Sequence, residues 1–175
     1  DSYLSYKAGE LGGEQLAFSK FPYLALCNTY SANRNITCSA AAGTAIACGE
    51  KTNNEHIGVN PEGKPLESIA YVLHDKGYNV GIMTTVPVNH ATPAAFYGHN
   101  SSRYGYYDIS REIVDSGFEF FGGSGFYNYK GREGDKPAVD IYIEENGYDV
   151  CYGPKEFKAR NNDRNIVFIQ ESGRE

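Results

Sequence analysis

Ser39 opens an unusual small-residue run, Ser39-Ala40-Ala41-Ala42-Gly43-Thr44-Ala45-Ile46-Ala47-Cys48, with Gly49 directly behind it. Alanine-rich sequence favours helix, and Gly49 marks a C-terminal stop. Ser39 then falls at or near the helix N-terminus, where free backbone N–H groups and the helix dipole favour an anion. A hydroxyl placed there would meet an incoming phosphate already held by backbone donors. The plainer reading of the same residue is an N-cap serine on a tightly packed helix. Small residues at positions 40–43 let neighbouring segments approach closely. A second candidate for anion binding is Gly122-Gly123-Ser124-Gly125. It lacks the following helix pattern and the G-K-[ST] ending of a P-loop, so that signal is weak.

The elements that must position these residues follow one repeated pattern: amphipathic helix, glycine, short strand. The first unit starts at Gly63-Lys64-Pro65, with Pro65 in the first helical turn. Leu66, Ile69, Ala70 and Leu73 follow at helical spacing, then Gly77 as the stop and residues 78–83 as a strand. In the second unit Asp108 is the N-cap, Ile109, Ile113 and Val114 the apolar face, Gly117 the stop, and 118–121 the strand. The third runs from Ala138 through Ile141, Tyr142 and Glu145 to Gly147, with 148–152 as its strand. Two further strands are expected at 23–27 and 165–169, and residues 122–137, with five glycines, read as a loop. Helices alternating with strands predict an α/β fold: a mostly parallel central sheet with helices on both faces. A parallel sheet would continue past residue 169, so the expectation is one partial domain over 1–175, incomplete at both ends.

The chain has 175 residues and a formal net charge of −6. That balance argues against a general nucleic-acid binder, which carries a basic face. It leaves anionic substrates open, because bound metal ions reverse the local field. No apolar stretch approaches the ~20 residues of a membrane helix, and the start at Asp1-Ser2-Tyr3 is not a signal peptide. Cys27, Cys38, Cys48 and Cys151 form no C-x-x-C pair, which removes zinc ribbons and thioredoxin motifs. A Cys38–Cys48 link would span roughly 15 Å of straight helix, too far for a disulfide. The cysteines read as mostly small buried residues.

Thr37-Cys38-Ser39-Ala40-Ala41-Ala42-Gly43-Thr44-Ala45, followed by Gly49-Glu50-Lys51-Thr52, closely resembles the nucleophile segment of alkaline phosphatases, T-D-S-A-A-x-x-T-A and then G-x-K-T. The likeness continues in Ile57-Gly58-Val59, in residues 84–95, in His99-Asn100-Ser101-Ser102-Arg103 and in residues 120–125. Several separated motifs in the right order, over about residues 20–170, make the match specific.

The resemblance implies a phosphomonoesterase that works through a phosphoserine at Ser39, with two zinc ions and one magnesium. Ser39 matches the nucleophile and a zinc ligand. Arg103 matches the arginine that clamps two phosphate oxygens, a task suited to its planar fork. Thr92 matches the hydroxyl ligand of the magnesium site, and the same residue reads as the N-cap of a helix opened by Pro93. His90 matches a position held by aspartate in some members and histidine in others. It is expected to tune the third metal site or to reach phosphate through water. His56, His74 and His99 gain no metal role, and His74 is expected at the surface. The family's usual aspartate before the nucleophile orients the arginine, and here that position is Cys38.

The other metal ligands of the family lie in D-G, D-x-x-x-H and D-H motifs. None precedes Ser39 or follows Arg103, and no histidine follows His99. The expectation is therefore a metal-poor piece with little activity alone, whose longer parent is periplasmic or secreted. Its partners would be small phosphomonoesters, with no nucleic acid, no membrane and room for a homodimer. The competing readings are an inactive fragment and a non-catalytic phosphate- or nucleotide-binding α/β domain.

Overall fold

A computed structural model describes residues 20–23, 25–160 and 163–170. Four strands form one sheet: β1 (Gly81–Met83), β2 (Phe120–Gly123), β3 (Tyr148–Tyr152) and β4 (Asn165–Ile169). Their spatial order is β1-β2-β4-β3, and every pairing is parallel. Ile82 lies beside Phe121, Phe121 beside Val167, and Val167 beside Val150. The expected α/β class with a parallel sheet is what the chain adopts. Parallel strands need crossovers, and the helices supply them: α4 (Tyr106–Ser116) between β1 and β2, α5 (Val139–Glu145) between β2 and β3, and α6 (Gly153–Ala159) between β3 and β4.

Glycines end α4 and α1 (Ser39–Cys48) as their positions suggested: Gly117 and Gly49 both take left-handed geometry and donate back into the last turn. Helix starts were harder to read. Pro65 does not begin a helix; it forms an antiparallel bridge with Val59. The helix α2 (Ile69–His74) starts after Ser68, whose hydroxyl accepts from the Tyr71 N–H and donates to the Phe96 carbonyl at 2.6 Å. A buried capping serine with two partners outweighs proline's preference for a first turn. Asp108 is not a cap either. Gly105 is, and Asp108 sits in the first turn of α4, where its charge still favours the positive helix end.

The strand expected at 23–27 does not form among its described residues; Leu24 lies outside them, as does the tail 171–175. Leu26 is fully exposed and Tyr23 nearly so. Burying such a side chain would bring about 1.5–3 kcal/mol, and none of that is realised here. The helix α6 was not anticipated, because its Gly153-Pro154 start masks a short amphipathic turn. The cysteines are all free, and only Cys151 is buried. No described helix is long and apolar enough to cross a membrane.

The core is centred on Phe118, Phe121, Tyr97, Ile109, Ile113 and Val167, all fully buried. His74 is half-buried at its edge, 3.4 Å from Glu119 and against the Phe118 ring. Glu112 on α4 reaches into this core and accepts from the His99 backbone N–H. Burial pushes its carboxyl up to about 7, helped by Asp115 and Asp108 and opposed by the His99 N–H.

A carboxyl that is less acidic when folded binds its proton more tightly there. Its contribution to stability is full below the unfolded value near 4.5 and is lost as pH rises to about 7. Glu112→Gln keeps an acceptor for His99 without the ionisation. Its stability relative to the parent chain, read by urea denaturation, should therefore improve between pH 4.5 and 7 and level off above. A difference independent of pH would contradict this account of Glu112.

Candidate active site

Ser39 is the first residue of α1, one position later than a cap. The cap position belongs to Cys38, whose backbone N–H donates to Asn54 at 3.1 Å and whose sulfur accepts from the Glu55 N–H at 3.1 Å. No acidic residue stands in the first turn, so the positive end of the helix is not neutralised by the helix itself. The N-cap reading of Ser39 is thereby replaced: its exposed hydroxyl faces outward and accepts from Arg103 Nη1 at 3.3 Å.

The same guanidinium turns its other terminal nitrogen to His90, with Nη2 and Nε2 3.2 Å apart. Ser39, Arg103 and His90 thus meet at one point, although 64 residues separate the first two. Arg103 forms no ion pair with a carboxylate among the described residues. Burial and then the charge of Arg103 hold the His90 imidazole below its usual pKa. The Cys38 thiol also feels this site. Burial raises it, but the N–H groups of Ala41, Glu55 and Ala40 and the Arg103 charge outweigh that, so it is more acidic than an ordinary cysteine.

Thr92 is not joined to the other three by any described hydrogen bond. It is exposed, inside the short helix α3 (Ala91–Ala94), and His90, not Thr92, is that helix's cap residue. The Thr92 side of α3 faces an apolar groove of about 710 Å³ lined also by Ile82, Met83, Leu73 and Phe96. Among the described residues no group of three or more His, Cys, Asp or Glu side chains converges on a metal position. His56 and His99 are engaged elsewhere: His56 Nδ1 lies 3.1 Å from the Asn60 carbonyl, and His99 Nε2 3.1 Å from that of Leu66.

Small residues explain why α1 and α3 can lie side by side. A Cβ on Gly43 would stand 3.0 Å from the Ala95 Cβ and 3.6 Å from the Thr92 carbonyl oxygen. Two residues to which the sequence analysis gave no role fix the rest. Buried Thr44 accepts from the Gly58 N–H at 3.0 Å and donates to the His56 carbonyl at 3.3 Å, tying α1 to the 56–58 turn. Ile57 and Asn100 then exchange both backbone hydrogen bonds at 2.8 Å, which sets the 99–103 segment against α1.

Buried Asn89 places its amide nitrogen, with two hydrogens to give, within 3.1 Å of the Tyr106 and Tyr127 carbonyls and of the Ser110 hydroxyl, and its oxygen accepts from the Tyr127 N–H at 2.9 Å. It anchors the backbone that carries His90. The one hint in sequence was an amide set between Val88 and His90 in a run of otherwise small or apolar residues.

The glycine loop has a structural use. Gly122 and Gly123 belong to β2, and a Cβ on Gly123 would come within 2.7 Å of the Val86 carbonyl oxygen. The Ser124 N–H is spent on that same carbonyl, so this loop does not present a row of free donors to a phosphate.

The alkaline phosphatase family model matches residues 3–119. The alkaline phosphatase of Gadus morhua is 33% identical over 182 residues, covering 91% of this chain and 37% of its own length. Alkaline phosphatase 4 of Bacillus subtilis is 33% identical over 147 residues, covering 79% of this chain and 31% of its own. The solved alkaline phosphatase of the Antarctic bacterium TAB5 superposes with a TM-score of 0.80 at 27% identity, over 97% of this chain and 51% of that one. A histidine-to-aspartate mutant of the TAB5 protein has Mg bound in its M3 site. The chain thus spans a third or so of the curated relatives it matches and about half of the TAB5 structure.

Gly58 has φ near +56°, and a Cβ there would fall 2.0 Å from the Gly98 carbonyl oxygen. Gly58→Ala should cost about 2–4 kcal/mol of stability, whereas Gly49→Ala, with φ near +73° and nothing within 4 Å, should cost about 1 kcal/mol. Urea denaturation of both decides; equal costs would mean that the 58–98 contact does not fix the site.

Proposed function

The chain belongs to the alkaline phosphatase family, and from that membership we propose that Ser39 is the nucleophile of phosphomonoester hydrolysis through a phosphoserine intermediate. The observation that carries the reading is the Arg103 guanidinium donating to the Ser39 hydroxyl at the positive end of α1. In the first half of the reaction Ser39 Oγ attacks phosphorus and gives its proton to solvent, while the P–O bond to the leaving group breaks and the departing oxygen takes a proton from solvent to leave as the alcohol. In the second half water attacks phosphorus and loses a proton, the Ser39–phosphate bond breaks, Ser39 Oγ regains a proton, and inorganic phosphate leaves.

Each residue has a physical part in this. The cation beside the hydroxyl favours its ionised form. The α1 N-terminus and Arg103 together favour a dianionic phosphate and the charge that builds on its equatorial oxygens. Arg103 has donors to spare, because Ser39 and His90 use only two of its N–H groups.

Two zinc ions and a magnesium complete the reading. Zinc would supply what these residues lack, an activated nucleophile and a stabilised leaving group. A zinc site needs three or four converging ligands, and Ser39, His90 and Thr92 do not provide them. The metals therefore require ligands beyond the described residues, and the chain by itself should turn over slowly or not at all. Natural substrates would be small phosphomonoesters, in a periplasmic or extracellular setting. The nucleotide-binding alternative built on Gly122-Gly123-Ser124-Gly125 is disfavoured by the spent Ser124 N–H and the packing of Gly123.

Hydrolysis of a chromogenic phosphomonoester at alkaline pH, with zinc and magnesium added, tests the role of Ser39. Any turnover by the chain should vanish in Ser39→Ala. Turnover that survives the substitution would remove Ser39 from the mechanism.

A further inference from the structure

A guanidinium has only donors. The 3.2 Å contact between Arg103 Nη2 and His90 Nε2 is therefore a hydrogen bond only if Nε2 offers its lone pair. A neutral imidazole with a free Nε2 carries its proton on Nδ1. That Nδ1 is buried and finds no partner among the described residues. The tautomer is thus not selected on the Nδ1 side; Arg103 selects it from the other.

Arg103 also has no carboxylate partner among the described residues. Among the described residues its guanidinium is hydrogen-bonded on two sides, with Ser39 Oγ taking Nη1 and His90 Nε2 taking Nη2, and the Tyr104 ring lies 6.0 Å from its centre. Ser39 Oγ becomes a weaker, ester-type acceptor once it bonds to phosphorus, so the His90 contact is the one that can persist through the reaction. His90 suits a fixed acceptor, because Asn89 beside it is held by hydrogen bonds to Tyr106, Ser110 and Tyr127 and the Tyr127 ring packs 6.1 Å from its own.

We propose that His90 is the positioning residue for Arg103: as the Nδ1–H tautomer it holds the guanidinium plane through Nε2, and leaves Nη1 to move from Ser39 to a phosphate oxygen. This rests on the reading of Ser39 as the phosphate site. It also changes the role first attached to His90, because an Nε2 lone pair given to Arg103 is not given to a metal ion.

Inorganic phosphate binding, followed by calorimetry on the chain, separates positioning from mere packing. Glutamine can set an amide oxygen near the place of Nε2, and asparagine only near the place of Nδ1. His90→Gln should keep the affinity within about threefold and His90→Asn should weaken it about tenfold, the size of one lost charged hydrogen bond. On an Arg103→Ala background His90→Asn should change nothing further. Equal losses in the glutamine and asparagine variants, or a full asparagine effect without Arg103, would overturn the proposal. A long-range ¹⁵N–¹H correlation spectrum reads the tautomer without any ligand. Nδ1–H at His90 in the parent chain, relaxing toward Nε2–H in Arg103→Ala, is expected, and Nε2–H in the parent would overturn it. If the parent chain binds no phosphate, the reading of Ser39 fails and the spectrum still decides the role of His90.

Discussion

The site depends on one backbone pairing, the mutual hydrogen bonds of Ile57 and Asn100 at 2.8 Å each. Neither residue touches a candidate ligand, yet together they set the distance between α1 and the segment that carries Arg103. On one side Thr44 fastens the 56–58 turn to the body of α1. On the other, Gly98 presses its carbonyl against Gly58 so closely that no side chain fits between them. Because peptide groups rather than flexible side chains make these contacts, the Ser39–Arg103 distance is fixed by rigid parts. A long arginine is thereby left only its last torsions to choose, and Ser39 and His90 choose them.

Much of this was legible in sequence, for identifiable reasons. Ser39 at the first turn of an alanine-rich helix followed from propensity and from Gly49. The strands at 148–152 and 165–169 were found at their full extent, because each is a β-rich run set off by a glycine or polar turn. The starts of α2 and α4 were misplaced because capping is decided by tertiary partners. Ser68 caps α2 while reaching across to Phe96, a contact that no local pattern encodes. The apolar run at 23–27 misled for the opposite reason: its residues match a strand, but a strand needs a neighbour.

The candidate site shows the same division. Motifs named Ser39, Arg103, His90 and Thr92, but not their geometry. The structure joins three by hydrogen bonds and leaves Thr92 lining an apolar groove. Thr44, Asn89 and Gly58 lie inside the matched segments but carry no chemistry, so the pattern gave them no role of their own. Their importance is visible only as buried hydrogen bonds and close approach. The charge balance divides likewise: the chain is acidic overall, while at Ser39 an arginine with no described carboxylate partner and an unneutralised helix end make a local cationic spot.

The central claim, that Ser39 takes a phosphoryl group, is tested most directly by trapping. The chain is incubated with a phosphomonoester in the presence of zinc and magnesium, quenched in acid, digested, and its peptides are read by mass spectrometry. Phosphate on Ser39, and none in Arg103→Ala, is the predicted result. Phosphate on another residue would contradict the claim, as would an unmodified Ser39 in a sample that hydrolyses the ester.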